Sequence, residues 1–154
     1  MFTLVSALLI GFFAGLRSLT PPAAVAWAVY LGRLKLDFPP AYIGSLPSVA
    51  ILSVLAFAEF VIDKLPQTPS RTSPPGLIAR IVTGGLTGAC VAAAGTQGMF
   101  LGAVLGALGG VVGCFSGYLA RRRLVQALGT RDIYIALIED VVAIAGSLWV
   151  VMQL

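Results

Sequence analysis

The chain has 154 residues, 58% hydrophobic and only 10% charged, with 18 glycines, a formal net charge of +4 and a mean hydropathy of +0.99. A water-soluble domain of this size carries about 25% charged residues to cover its surface, so the composition excludes that class and indicates one integral-membrane domain over residues 1–154. Lipid cannot satisfy open backbone groups, and the chain shows long apolar blocks where a β-barrel needs short alternating segments, so the expected fold class is all-α.

The first apolar block runs over roughly residues 2–19. "MFTLVSALLIGFFAGLRS" has no basic residues ahead of its apolar run, and Arg17 follows it, so it reads as a retained span and not a cleaved leader. Next comes "TPPAAVAWAVYLG". Thr20 can cap a helix, and Pro21 and Pro22 fit only a first helical turn. A separate short helix is therefore expected over residues 22–32. At about 16 Å it is too short to span, and is interfacial, re-entrant or a bent continuation of the first span. Further spans are expected over 47–65, 77–95, 99–120 and 133–152, giving a polytopic bundle of five membrane helices and one short one. "QTPSRTSPPGL" is the clear loop, with Pro74, Pro75 and Gly76 resetting the chain.

Positive residues in short loops stay in the cytoplasm. An N-terminus inside places Lys64, Arg71, Arg80, Arg121, Arg122, Arg123 and Arg131 there and leaves Arg33 and Lys35 outside, with Arg17 near the outer end of the first span. The expected location is the inner (plasma) membrane, multipass, with the N-terminus cytoplasmic. Anionic headgroups are the expected contact for the basic residues. Nucleic acid is not an expected partner, because no soluble domain presents those residues.

Glycines 102, 106, 110, 113 and 117, with Gly84 and Gly88 and with Gly11 and Gly15, form small-xxx-small steps that let helix backbones approach closely. "GFFAGLR" (11–17) resembles "GCFSGYLAR" (113–121). An inverted repeat built on that match would put Arg17 and Arg121 on opposite faces. The acids do not follow the same symmetry, since Glu59 falls late in its span and Glu139 early.

Glu59, Asp63, Glu139 and Asp140 lie within predicted spans, where each carboxylate costs about 2.5–3.5 kcal/mol at a helix centre. These four are the candidate substrate or ion-binding residues, and Arg17, Lys64, Arg80 and Arg121 are the candidate counter-charges. In one reading Arg80 and Arg121 bond the acids as an interhelical clasp. In the other, an accessible carboxylate binds a cation or cycles a proton, making a transporter or channel for a small ion or solute. Arg17 either helps hold an anion beside the Thr20-Pro21-Pro22 helix start or snorkels to the interface. A homo-oligomer is expected, because five short helices enclose little volume.

Cys90 and Cys114 lie in apolar blocks without metal-ligand spacing, and the chain has no His, so they read as small buried hydrophobes and no cofactor is expected. Enzymatic motifs are missing too. "TGGLTG" (83–88) lacks the Lys a phosphate loop requires.

Together, "GFFAGLRSLTPPA", "AEFVIDKLPQTPSRTSPPGL" and the late "GYLARR" and "IEDVVAI" resemble a bacterial multipass membrane family catalogued as domain of unknown function 4126. The resemblance covers nearly the whole chain. It implies membrane placement and single-domain organisation, and it transfers no catalytic residue.

Overall fold

A computed structural model describes residues 2–37, 40–63 and 72–154, and every regular element among them is helical. In chain order these are α1 (Phe2–Leu16), α2 (Thr20–Tyr30), a 3-10 turn (Pro40–Gly44), α3 (Leu46–Ile62), α4 (Pro74–Ala94), α5 (Met99–Leu128) and α6 (Asp132–Met152). Five of the helices match the predicted blocks. α5 continues to Leu128, beyond the apolar run, because "ARRRLVQAL" consists mostly of good helix formers. It stops at Gly129, whose φ of +59° supplies the left-handed cap.

The surface is that of a protein solvated by lipid. Phe100 is 83% exposed, and Phe57, Val54, Val141 and Ile138 stand open along helix faces that carry almost no charge. α4, α5 and α6 are each long and apolar enough to cross a membrane; α1 and α3, of 15 and 17 residues, are shorter apolar helices.

The centre is a three-helix packing of α1, α4 and α5 built on the glycines. Gly11 faces Gly106 and Gly15 faces Gly110 and Gly113, so α1 and α5 run parallel. Gly84 meets Gly106 and Gly88 meets Gly102, so α4 runs antiparallel to both. A Cβ added at Gly84 would stand 2.6 Å from the Gly106 carbonyl oxygen, and one at Gly110 2.6 Å from that of Arg80, so only glycine permits the approach. Cys90 and Cys114 form no disulfide and are buried in this centre.

α2 turns back along α3 and does not lie flat across the bundle end. Thr20 borders the same groove as Phe60, the Trp27 indole donates to Ser53 Oγ, and Val29 packs on Gly44 just before α3 begins. Pro21, Pro22, Val25 and Ala26 are buried, and Leu34 from the following loop joins the core beside Ala7 and Val91. α6 descends from Asp140 beside Arg17, past Gly146 on the Phe13 ring, to Val150 in the core.

The six helices therefore alternate in direction, and two expectations are corrected. Phe2 and Met152 lie at one end, whereas Arg17, Asp63, Arg80, Arg121 and Asp140 all gather toward the other. Arg17 is thus not across the bundle from the acids. The match of "GFFAGLR" with "GCFSGYLAR" is also no inverted repeat, because α1 and α5 are parallel and carry Arg17 and Arg121 in the same sense.

Candidate functional site

The charged end is organised by the break between α1 and α2. "RSLTPP" reverses the chain, and Pro21 and Pro22 contribute no N–H to the new helix. The helix cap is Leu19, not Thr20, and no side chain of its own turn accepts a hydrogen bond there. The acceptor comes from α3. Glu59 Oε1 receives the Ser18 N–H at 2.8 Å and the Ser18 hydroxyl at 2.5 Å, and Oε2 receives the Leu19 N–H at 2.9 Å. An anionic oxygen near a helix start is favoured by the backbone dipoles as well as by these bonds. Glu59, set in an apolar span, closes the turn that leads into a helix 40 residues earlier in the chain.

Arg17 stands two residues before the Leu19 cap and is 2% exposed. It does not snorkel. Its Nε donates to Asp140 Oδ1 at 2.6 Å, its guanidinium lies 5.0 Å from the Phe60 ring centroid, and Nη2 is 3.9 Å from Asp63 Oδ2. One cation thereby ties the end of α1 to α3 and α6. Bonded at this distance and shielded from water, the Arg17–Asp140 pair is strong only because both partners are present.

Arg80 does not serve as the carboxylate partner expected of it. Its Nε donates to the Gly15 carbonyl at 3.0 Å and its Nη1 to the Gly76 carbonyl at 2.9 Å, closing the end of α1 onto the first turns of α4. The glycines bring α4 so close to α1 that the nearest acceptors are backbone oxygens. Arg121 forms a second group, bound through Nε and Nη2 to Asp132 across the α5–α6 turn, with Glu139 Oε2 3.9 Å from Nη1. Lys64, the remaining proposed counter-charge, and Arg71 lie outside the described residues.

The eight candidates thus divide. Glu59, Asp63 and Asp140 converge on the Arg17-Ser18-Leu19 turn, and Glu139 belongs with Arg121 and Asp132 on the other side of α6. Asp140 and Glu139 are sequence neighbours and point to different groups, as adjacent helical positions must. Sequence reasoning missed Ser18, Leu19 and Asp132. A signal for the first two was present: N–H groups between the end of one helix and a double-proline start have no helical carbonyl to bond and need another acceptor.

Two recesses border these groups. A groove of about 440 Å³ between α2, α3 and α6 has Arg17, Thr20 and Phe60 at one end and Trp27 at the other. A smaller one of about 280 Å³ between α1, α5 and α6 includes Arg121 and Glu139. No group of acids, Cys or His among the described residues is placed to hold a metal ion.

An all-helical fold with an apolar exterior, a glycine-packed centre and a clasp of charges buried at one end is that of a membrane protein. The chain belongs to the family described as Domain of unknown function (DUF4126), whose model matches residues 4–153. No curated protein and no solved structure matches it.

Proposed function

We propose that the protein is a small multispanning membrane transporter or channel for a small ion or solute, and that α3 is its moving element. The observation that carries this reading is how α3 is held. Only Val49 of its 17 residues is buried, and at its far end it is fastened by the bonds of Glu59 to Ser18 and Leu19 and by the approach of Asp63 to Arg17. A helix with little apolar burial and a polar latch is suited to rock between two positions. Glu59 is then the latch, and Arg17 with Asp63 and Asp140 is the group whose pairing changes as α3 moves.

In this reading α1, α3, α4, α5 and α6 cross the bilayer, the two shorter helices by local thinning or with their flanking residues. α2, too short to cross as a helix alone, carries the chain back toward the side where α3 begins. The basic residues Arg80, Arg121, Arg122, Arg123 and Arg131 favour a cytoplasmic charged end, which sets the start of α1 on the outer side. This reverses the orientation drawn from five crossings, because α2 adds a return. The outer faces of α3 and α6 remain available to lipid or to a second copy.

A second reading is favoured by the saturation of Glu59, which already accepts three hydrogen bonds. Here the same residues only hold the helices together. Proteoliposomes with an entrapped pH-sensitive dye, tested under imposed proton, Na⁺ and K⁺ gradients, separate the two. Transport predicts a flux above empty liposomes that changes severalfold in Glu59→Gln while that variant stays folded. Folded wild type without flux under all three gradients, together with a lowered melting temperature in Glu59→Gln, leaves the structural clasp.

A further inference from the structure

Arg17 has an unused donor. Its Nε is spent on Asp140, but Nη2 is buried without a hydrogen-bond acceptor, and the Asp63 oxygen at 3.9 Å is beyond bonding reach. An unmet donor on a charged group out of water is costly, so an acceptor is called for at this point. Arg17 also stands at the head of the 440 Å³ groove, whose walls are apolar apart from Thr20. The volume falls in the range of sites that enclose small molecules. Along α2, from Thr20 at the head to Trp27 at the foot, the groove extends about 11 Å.

We propose that this groove is a binding site for an uncharged amphiphile taken from the bilayer. A carbonyl or hydroxyl oxygen would accept from Arg17 Nη2, and a single hydrocarbon tail would lie between Ala23 of α2 and Ala56 of α3 toward Trp27. The charge state follows from the surroundings. The guanidinium is already neutralised by Asp140 at 2.6 Å and is approached by Asp63, so an anionic head gains little from Arg17 and is repelled by both acids. A cationic head meets the guanidinium itself. A neutral acceptor satisfies the orphaned N–H without disturbing the pair. The site is formed with α3 in the position seen here and its occupancy is read without any flux, so flux and binding can fail separately.

Trp27 reports on occupancy. The chain has two tryptophans, and Trp149→Phe leaves Trp27 alone. In nanodiscs of saturated phosphatidylcholine, this protein is titrated with the methyl ester of undecanoic acid brominated at the tail end, a short-range quencher. The same chain is also tested as the ionised free acid and as the trimethylammonium salt. The expected result is saturable quenching by the ester, reversed by unbrominated ester and at least fivefold weaker for either charged head. Ala56→Phe, which fills the groove from α3 without touching the clasp, should remove the saturable component. Should that variant not fold, Ala23→Leu fills the groove from α2. Quenching that rises linearly and equally for all three heads means annular lipid only and overturns the site. So does tighter binding of the anion, or saturable quenching that survives the filled groove.

Discussion

α5 and α3 are both apolar helices, and they are held in opposite ways. The buried residues of α5 are Gly102, Gly106, Gly109, Gly110, Gly113, Cys114 and Gly117, so it is fixed by backbone lying on backbone. α3 buries only Val49 and is fixed by carboxylates reaching the α1–α2 turn and the Arg17 guanidinium. In lipid there is little hydrophobic gain in pressing one apolar helix on another, so association rests on close packing or on polar bonds. This molecule assigns the first to its centre and the second to its periphery. The centre should therefore be sensitive to added volume and indifferent to charge, and the periphery the reverse.

The largest expected effect tests the periphery. Arg17→Met leaves the buried Asp140 carboxylate without its bonded cation and should destabilise by about 3–5 kcal/mol. Adding Asp140→Leu removes the other side of the pair and should recover much of that loss. Thermal unfolding of the purified protein in detergent measures both. A double variant no more stable than Arg17→Met alone would show that the pair does not hold α6 to α1. The cycle isolates the coupling, because each substitution deletes one side of the same bond.

This pairing also marks what the sequence could not specify. Helical spans, the glycine contacts of α1, α4 and α5, and the burial of both cysteines follow from local composition and spacing, which carry the same meaning wherever a helix sits. Partner choice among the charges depends on direction. Counting α2 as a segment that does not return puts Arg17 opposite Glu59, and then Arg80 and Arg121 are the nearest cations available to the acids. Once α2 folds back along α3, Arg17 arrives beside Asp140 and Asp63, and Arg80 is left with the carbonyls of Gly15 and Gly76. One reversed segment of 11 residues exchanges the partners of the whole cluster. That the N–H groups of Ser18 and Leu19, left outside both helices by the break at "RSLTPP", need an acceptor was within reach of sequence reasoning. The identity of the acid that answers it was not, since Asp63 shares the same helix face.

The centre gives the next effect. Gly106→Ala inserts a methyl where the backbones of Gly84 and Gly88 already touch, and neither contact is a flexible side chain that can step aside. A loss of about 1–3 kcal/mol is expected from overpacking of this kind. Gly98→Ala is the matched control: nothing lies within 4 Å of the added carbon, and the change should stay within about 0.5 kcal/mol. Melting temperatures that fall equally in the two variants would mean the cost is generic to replacing glycine and not due to backbone contact.

The smallest effect comes from the turn between α4 and α5, at the end away from the clasp. Thr96 holds a φ of +56°, with its N–H on the Ala93 carbonyl and that of Gln97 on Ala92 at 2.8 Å. A β-branched residue in the left-handed region is strained by roughly 1–2 kcal/mol. Glycine relieves the strain but adds freedom to the unfolded chain worth about 0.5–1 kcal/mol, so Thr96→Gly should stabilise by about 0.5 kcal/mol. Because the turn and Arg17 are at opposite ends of the bundle and share no partner, the gain should be undiminished in an Arg17→Met background. A gain that vanishes there would mean that loss of the clasp loosens the glycine centre as well, and that the two ways of holding a helix in this protein are not separable.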